Sequence, residues 1–515
     1  MKPLKHGWLV LSAFLASCGT KEAPQPTQPN VIYILADDLG YGDIEAFNSS
    51  CKIKTPHLNQ LAKEGAMFTD MHTSSAVCTP TRYGILTGRY NWRSSLKNGV
   101  TWGDSKALID SSRNTVADLF HKKGYQTAFI GKWHLGWDWT MKEDKSIDFS
   151  KPVTNNPNDV GFDYAYGHAA SLDIPPYVYV ENGKATAIPT RKIDKVTGYG
   201  FYRKGWIAPD FTIEDATPNF FRRAKKYVAE QVTNKKPFFL YLPIPSPHTP
   251  IVPTKEWQGK SGLNPYGDFV MMIDHYVGDL MAELKKQGID KNTIVVFTSD
   301  NGCSPMARFD VLKEKGHDPS ANYRGHKADI FEGGHHVPFI VHWPKGIKAG
   351  TKIDKTSCTT DFMATAAEII EQPLEDRDAV DSYSMLSMLQ KGNTGEYTRD
   401  YTIHHSINGS FAIRQGDWKL ELCAGSGGWS APKPKKAKEL NLPNIQLYNI
   451  AKDPQETNNV FQDNPEVVKT MYTTLMKCIN DGRSTVGTKQ QNSEGSKGWP
   501  QLKKLNNLSQ EITAL

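Results

Sequence analysis

Short apolar runs rich in β-branched and aromatic residues recur along this chain, with helical patterns between them. The first run, Val31-Ile32-Tyr33-Ile34-Leu35, shows no polar alternation, as expected for a strand that is buried on both faces. Similar runs and the helical patterns between them lie at 55–65, 115–124, 126–130, 238–242, 268–287, 293–298 and 338–343. Because strands that alternate with helices build parallel sheets, we predict an α/β fold with a large mixed, mostly parallel sheet sandwiched by helices.

The pattern changes after about residue 395. Strand-like segments then follow one another without helices between them, and a helical segment comes last, at 401–405, 411–414, 418–422, 446–448 and 466–479. A chain of 515 residues is also longer than one ordinary core requires. We therefore predict a main domain at 30–395 and a C-terminal subdomain at 396–515, in which a small antiparallel sheet packs on a helix.

Composition places the body of the chain among globular proteins. Hydrophobic residues make up 38% and charged residues 23% of the chain. The formal net charge of +6 is small for this length, and no nucleic-acid-binding motif is visible. We therefore expect no nucleic-acid partner.

The first residues have the pattern of an export signal. A basic start, Lys2–His6, precedes the apolar run Trp8–Ala16, which is too short to span a bilayer. The run ends in Leu15-Ala16-Ser17-Cys18, which resembles the bacterial lipobox, where the Cys is lipidated. This predicts a lipoprotein signal peptide at 1–17, a tether at 18–29, and a lipid-anchored protein of the bacterial periplasm or outer membrane that contacts the membrane only through its anchor. The alternative is an ordinary signal peptide or a stray Cys.

Polar residues follow four of the predicted strands at the point where each strand ends. They are Asp37-Asp38, Lys132-Trp133-His134, His248 and Asp300-Asn301. Each alone could be a turn or cap residue. Ligands of parallel α/β sheets bind beyond the carboxyl ends of the strands, so the coincidence of four such groups favours a functional site at one edge.

The same edge has the composition of a site for a hard cation. Asp37, Asp38, Asp300 and Asn301 are oxygen ligands, which select calcium or magnesium over zinc or copper. Carboxylates brought together without compensation would repel one another, so we expect a cation between them. The chain has no CxxC pair that would indicate a structural zinc site.

A further segment, Cys78-Thr79-Pro80-Thr81-Arg82, has features of a helix start. Pro80 suits the first turn, and Cys78 would lie at the helix N-terminus, where the helix dipole favours an anion. Arg82 lies one turn later and can reach back to the same site. A buried structural Cys with a surface Arg is the alternative.

Together with the following Leu86-Thr87-Gly88-Arg89, this segment resembles the signature of the type I, formylglycine-dependent sulfatases, in particular arylsulfatase A-like and N-acetylgalactosamine-6-sulfatase-like enzymes. Other segments match in the family's order, namely Asn30-Val31-Ile32, Gly131–Gly136, Ser246–Pro250, Ser299–Gly302, Arg324–Lys327, Glu332–Gly334, Leu447–Asn449 and Asp453–Glu456. His326 stands where a Gly is common. The resemblance implies an alkaline phosphatase-like sulfatase fold, with residues 30–395 as the catalytic domain.

The resemblance also implies roles for the polar groups at this edge. Cys78 would be oxidised to formylglycine by a formylglycine-generating enzyme or an anaerobic maturase, and its hydrate would attack sulfur. One Ca²⁺ would be held by Asp37, Asp38, Asp300, Asn301 and modified residue 78. The remaining catalytic residues would be Arg82, which steadies residue 78, Lys132 and Lys327, which clamp the sulfate, His248 as general acid and His134 as general base.

Specificity is expected from loops around this edge and from the C-terminal subdomain. His168 and Asp173 could hydrogen-bond sugar hydroxyls, Tyr177 could stack on a ring, and His404 and His405 could reach the site from the subdomain. Further candidates are His335, His336 and Ser406. The alternative for each of these residues is a polar side chain that only faces solvent.

The predicted activity is removal of sulfate from a sulfated carbohydrate, with exo action on 6-O-sulfated galactose or N-acetylgalactosamine. Three alternatives stay open. They are a sulfatase for another sugar or sulfate position, a phosphatase or phosphonate-ester hydrolase of the same fold, and a non-catalytic glycan-binding lipoprotein. The Cys78 motif and the all-oxygen metal site argue against the zinc-dependent phosphatases.

Overall fold

The computed structural model describes residues 28–515. The predicted signal peptide, Cys18 and most of the predicted tether lie outside the described residues.

The strands are, in chain order, β1 (Asn30–Asp37), β2 (Ala66–Phe68), β3 (Met71–His72), β4 (Gln126–Lys132), β5 (Tyr164–His168), β6 (Val180–Glu181), β7 (Lys184–Ala185), β8 (Arg191–Ile193), β9 (Gly205–Ile207), β10 (Phe238–Pro247), β11 (Thr293–Ser299), β12 (Phe339–His342), β13 (Thr351–Ile353), β14 (Ser357–Cys358), β15 (Tyr401–His405), β16 (Phe411–Gln415), β17 (Trp418–Glu421) and β18 (Gln446–Asn449). The α-helices are α1 (Pro56–Glu64), α2 (Cys78–Thr87), α3 (Val116–Lys122), α4 (Ala216–Asn234), α5 (Pro265–Lys286), α6 (Phe309–Glu314), α7 (Glu332–His335), α8 (Phe362–Ile369), α9 (Leu386–Lys391), α10 (Pro434–Glu439), α11 (Pro465–Asp481) and α12 (Pro500–Ala514).

The main sheet has ten strands in the order β13-β2-β12-β11-β1-β10-β4-β5-β6-β7. Its centre, from β11 to β5, is parallel, while β12 runs antiparallel to β11 and β6 antiparallel to β5. Ile32 of β1 pairs with Leu240 on one side and Val295 on the other. The carboxyl ends of the central strands therefore meet at one edge, as predicted.

Helices cover both faces of this sheet because alternate residues of β1 point into different cores. Ile32 and Ile34 pack with α1, α4 and α5 in one core. Tyr33 and Leu35 pack with α2, α3 and α8 in the other core. The predicted α/β architecture, a mostly parallel sheet sandwiched by helices, is confirmed.

A second, four-stranded antiparallel sheet has the order β15-β16-β17-β18. It shares a third core with α11 and α12. The sequence pattern predicted the strands and α11, but it did not predict α12, whose few apolar residues, such as Leu505 and Ile512, face this core. The exact domain boundary at 395/396 stays a prediction.

Two further features bear on the sequence-based predictions. All six cysteines from Cys51 onwards are free thiols. Within residues 28–515, none of the helices combines the length and apolar composition that a bilayer span needs.

Candidate active site

The polar groups predicted to meet at the sheet edge lie together there. Asp37 ends β1, Lys132 ends β4, and His248 and Asp300 follow β10 and β11 directly. Asn301 completes the edge. These side chains are buried, so the site lies within the protein rather than on its surface.

Each carboxylate of the edge is paired with a basic side chain. Arg82 donates from Nε and Nη2 to Asp300 Oδ2, at 3.1 and 2.7 Å. Lys132 Nζ donates to Asp37 Oδ2 at 2.5 Å. Lys327 Nζ lies 2.6 and 2.8 Å from the two oxygens of Asp38. Three basic side chains therefore offset part of the repulsion among the carboxylates, and the divalent cation expected at this edge stays a prediction.

The edge nevertheless has free oxygen atoms suited to a cation. Asp37 Oδ1 and Asn301 Oδ1 are buried and accept no hydrogen bond from any described residue. One ligand atom each of Asp37, Cys78 and Asp300 lie within 4.8 Å of one another. Buried polar atoms are normally satisfied, so these unpartnered oxygens fit a hard divalent cation.

The carboxyl groups differ in their proton affinity. Burial and the neighbouring charge of Asp37 raise the pKa of Asp300 to about 7, against the opposing effect of Arg82. Burial also acts to raise the pKa of Asp37, but Lys132, His248 and Arg82 outweigh it and hold that pKa well below its usual range. Asp37 is therefore the more fully ionised oxygen donor.

Cys78 is the first residue of α2, as predicted. The residue is 2% exposed, and every residue of α2 is buried. Burial raises the pKa of the Cys78 thiol, although Lys132 and Lys327 oppose this effect. The unmodified side chain is thus a neutral thiol next to basic groups, which is a poor nucleophile.

His134 is held by the backbone of a neighbouring loop. Its Nε2 lies 2.9 Å from the carbonyl oxygen of Thr101, while its Nδ1 has no partner among the described residues. Burial, reinforced by Lys132 and Arg82, lowers the pKa of His134 well below its usual value. The ring is therefore neutral near pH 7, with a free lone pair on Nδ1 once Nε2 donates to Thr101.

His248 lies between Asp38 and the loop that carries Asp173. Its Nδ1 donates to the Thr249 carbonyl oxygen at 2.7 Å, and its Nε2 lies 3.6 Å from Asp38 Oδ2. Because Nδ1 is committed as a donor to this carbonyl oxygen, Nε2 is the ring nitrogen that faces Asp38. Asp173 Oδ1 lies 4.0 Å from Nδ1.

Two of the predicted substrate residues lie close to the edge. His168 pairs with Lys132 in the register of β4 and β5, and its Nε2 is unpartnered. Burial, together with Lys132, lowers the pKa of His168 to about 3. Asp173, which is buried, forms an ion pair with the partly exposed Arg203 and keeps Oδ1 without a hydrogen bond.

Tyr177 is not placed to stack on a sugar, contrary to the sequence-based prediction. Its side chain is 1% exposed, and its hydroxyl donates to the carbonyl oxygen of Arg203 at 2.6 Å. The ring anchors the loop that carries Arg203 instead.

His404 and His405 are also not available to a substrate. The ring of His404 stacks on His335 with centroids 4.0 Å apart, and its Nδ1 contacts the Thr73 carbonyl oxygen at 2.9 Å. His405 is 1% exposed and packs against Phe411. Strand β15 turns these side chains into the protein, so the prediction of substrate contacts is wrong. His335 and His336 are likewise buried.

Sequence reasoning missed two residues that shape this edge. Thr101 holds His134 through its carbonyl oxygen and also donates from Oγ1 to the carbonyl oxygen of His134, at 3.0 Å. Arg203 pairs with Asp173. Neither residue belongs to a periodic pattern or follows a main-sheet strand, so the sequence carried no signal for them.

Comparison with known proteins agrees with this geometry. The family model described as Sulfatase matches residues 29–371. An N-acetylgalactosamine-6-O-sulfatase of Bacteroides thetaiotaomicron is 33% identical over 506 residues, covering 89% of this chain and 95% of the relative. Human arylsulfatase A is 28% identical over 483 residues, covering 90% of each.

A solved structure shows the same similarity. A sulfatase structure from work on glycosaminoglycan metabolism by Bacteroides thetaiotaomicron superposes with a TM-score of 0.77 at 33% identity, covering 87% of this chain and 99% of that one. The family match, the relatives and the shared fold lead to one conclusion: this chain is a sulfatase, a hydrolase of the sulfatase family.

Proposed function

We propose that this sulfatase removes 6-O-sulfate from a terminal N-acetylgalactosamine or galactose of a sulfated glycan. The observation that carries the proposal is the similarity, over 89% of the chain, to an N-acetylgalactosamine-6-O-sulfatase. A mammalian N-acetylgalactosamine-6-sulfatase from Rattus norvegicus is 28% identical over 88% of the chain. Both relatives are named for the 6-sulfate position, which supports this choice over 4-O-sulfate.

The residues of the edge have chemistry suited to this reaction. We propose that Cys78 is oxidised to formylglycine, which supplies the nucleophile; a divalent cation held at this edge would supply Lewis-acid stabilisation of the sulfate charge. Lys132 and Lys327 offer ammonium groups to the sulfate oxygens. His248 gives a proton from Nε2 to the departing sugar oxygen, and the free Nδ1 of His134 accepts a proton when sulfate is released.

Sulfate release from a small panel tests the substrate. The panel contains 4-O- and 6-O-sulfated N-acetylgalactosamine, 6-O-sulfated galactose and N-acetylglucosamine, and an aryl sulfate. Release from a 6-O-sulfated galactose-type sugar, absent in Cys78→Ala, is expected. Preferential release from the 4-O-sulfated sugar would refute the proposed position, and release of phosphate from phosphate esters in preference to sulfate would favour the phosphatase alternative.

Calcium is the cation we propose for the oxygen-rich edge, with Asp37, Asp38, Asp300 and Asn301 as its ligands and residue 78 next to it. Chelation should abolish sulfate release and lower the thermal midpoint, and added Ca²⁺ should restore both. Restoration by Zn²⁺ but not by Ca²⁺ or Mg²⁺ would contradict the assignment.

Maturation and location complete the proposal. We propose that a formylglycine-generating enzyme or an anaerobic maturase modifies Cys78, and that Cys18 anchors the protein to a bacterial membrane facing the periplasm or the exterior. Mass spectrometry of the peptide containing residue 78 tests the first proposal. Loss of membrane fractionation in Cys18→Ala tests the second, and a Cys18→Ala protein that still fractionates with membranes would contradict it.

A further inference from the structure

A cavity next to the catalytic edge has features of a carbohydrate site. It has a volume of about 720 Å³, within the range of roughly 300–1,000 Å³ typical of small-molecule sites. Its lining includes two exposed indole rings, Trp102 and Trp206, which are 51% and 40% exposed. The guanidinium of Arg203 lies 5.2 Å from the centre of the Trp102 ring, and Lys192 Nζ lies 4.7 Å from that of Trp206. The exposed part of each flat indole suits the apolar face of a sugar ring.

The cavity shares a wall with the groups that surround the sulfate site. Trp102 follows Thr101, whose carbonyl oxygen contacts His134 Nε2 at 2.9 Å. Arg203, also in the lining, pairs with Asp173, whose Oδ1 lies 4.0 Å from His248 Nδ1. A glycan whose terminal sugar lies at the catalytic edge can therefore continue into this cavity.

Close packing fixes the loops that form this wall. A Cβ atom on Gly103 would lie 2.0 Å from the carbonyl oxygen of Pro175, and one on Gly205 would lie 2.1 Å from the side chain of Pro175. The Tyr177 hydroxyl donates to the carbonyl oxygen of Arg203, and its backbone N–H donates to that of Trp206 at 2.9 Å. The backbone that carries Trp102, Arg203 and Trp206 is thus held in place before any ligand binds.

The charge of the lining indicates what it would bind. Lys142, Lys145, Arg203 and Lys204 line the cavity, against the carboxylates of Asp104 and Asp148. Lys142 and Lys145 are exposed and form no ion pair with a described carboxylate, so they remain open to an anionic ligand. Asp148 Oδ1 accepts hydrogen bonds from Ser150 within its own turn.

We infer that this cavity is a subsite for the sugars that follow the sulfated terminal residue, and that it selects an anionic oligosaccharide, one bearing uronate or further sulfate groups. The inference rests on the proposed function and extends it from a single sugar to a chain. Trp206 and Trp102 provide stacking surfaces, and Lys142 and Lys145 attract the negative charges.

Binding to catalytically inactive Cys78→Ala protein tests the subsite without requiring turnover. The probes are 6-O-sulfated N-acetylgalactosamine and a chondroitin 6-sulfate trisaccharide that ends in the same sugar, measured by calorimetry. The trisaccharide should bind more tightly than the single sugar. Adding Trp206→Ala should weaken trisaccharide binding about tenfold and leave the single sugar unaffected, whereas Trp206→Phe should retain most of the affinity.

The contribution of the lysine charges to trisaccharide binding is tested separately, with a matched control. Lys142→Ala with Lys145→Ala should weaken trisaccharide binding severalfold, and this difference should shrink at high salt. Lys285→Ala with Lys286→Ala removes two exposed lysines at the end of α5, near the opposite edge of the sheet, and should change nothing.

Equal affinity for the two probes, or unchanged trisaccharide binding in the Trp206 and lysine variants, would overturn the subsite. Failure of the proposed function gives a different result, since the wild-type enzyme would then release no sulfate from either probe, while the binding measurements would still decide the subsite.

Discussion

Arg82 and Asp300 form a buried pair in which two guanidinium nitrogens donate to one carboxylate oxygen. Both side chains are fully buried, so removing the guanidinium of Arg82 leaves the Asp300 carboxylate without a compensating charge. We predict that Arg82→Met lowers the free energy of unfolding by about 3–5 kcal/mol when measured in urea with a chelator present. Arg82→Lys keeps the charge and should be less destabilising; equal stability of all three proteins would contradict this account.

The second prediction concerns the nucleophile. Cys78→Ala should abolish sulfate release and leave the thermal midpoint within a few degrees of wild type, because the substitution removes only the polar end of one small buried side chain. Cys423→Ala, at a thiol in the C-terminal subdomain, should retain activity. Measurable turnover by Cys78→Ala would refute the proposed role of residue 78.

Protonation of the leaving group gives a third prediction. His248→Gln cannot supply a proton and should reduce kcat for a sugar sulfate on the order of 10²–10⁴-fold. A nitrophenyl sulfate has a leaving group that needs little protonation, so its hydrolysis should fall much less. His275→Gln, at a partly exposed position of α5, serves as the control. Equal losses for both substrates would argue against a role as general acid.

A fourth prediction follows from the burial of His405. Burial and the charge of Lys97 lower the pKa of His405 to about 3. Between this value and about 6.5, the unfolded chain binds one proton more than the folded protein, so the free energy of unfolding falls as pH falls, by up to about 1.4 kcal/mol per pH unit. His405→Phe should give a shallower dependence between about pH 7 and pH 5 in urea titrations.

The same His405 variant checks the correction made to the sequence-based prediction. Since the ring does not reach the catalytic edge, His405→Phe should leave KM for the sugar sulfate unchanged. A large increase in KM would restore the prediction of substrate contact.

The fifth prediction concerns the ion pairs that connect the C-terminal sheet to helix α7. Lys419 of β17 is fully buried and lies 2.7 Å from Glu456 and 3.1 Å from Glu332 of α7. We predict that Lys419→Met lowers the free energy of unfolding by about 3–5 kcal/mol, because it leaves buried carboxylates unpaired. Lys435→Met, at an exposed lysine of α10, should have no measurable effect in the same denaturant titration.

The sequence predicted the centre of the fold and most of the candidate site for the same physical reason. A strand buried on both faces is a continuous apolar run, as in 31–35, and the polar residue that ends it lies at the sheet edge. The peripheral strands β2 and β13 have three residues each, too few to show a periodicity. Helix α12 was missed because it is mostly polar and buries only a narrow stripe.

The wrong predictions of substrate-contacting residues also have a physical origin. Hydrogen-bonding residues such as His404 and Tyr177 have the same composition whether they contact a ligand or the backbone of a neighbouring loop. Only the three-dimensional direction of β15 and of the loop after Asp173 separates the two cases. Arg203 and Trp206 lie far along the chain from the catalytic motifs, so no local pattern connected them to the site.

The complete burial of α2 sets an order of events for the newly made protein. Cys78 is only 2% exposed and is the first residue of a helix that is buried along its whole length, so the described part of the folded chain gives the active site of a second enzyme little access to its sulfur atom. The proposed oxidation therefore has to precede folding and competes with it in time. Chains that fold faster than they are oxidised would accumulate as stable, correctly shaped and permanently inactive protein, so slow or delayed folding would raise the yield of active enzyme.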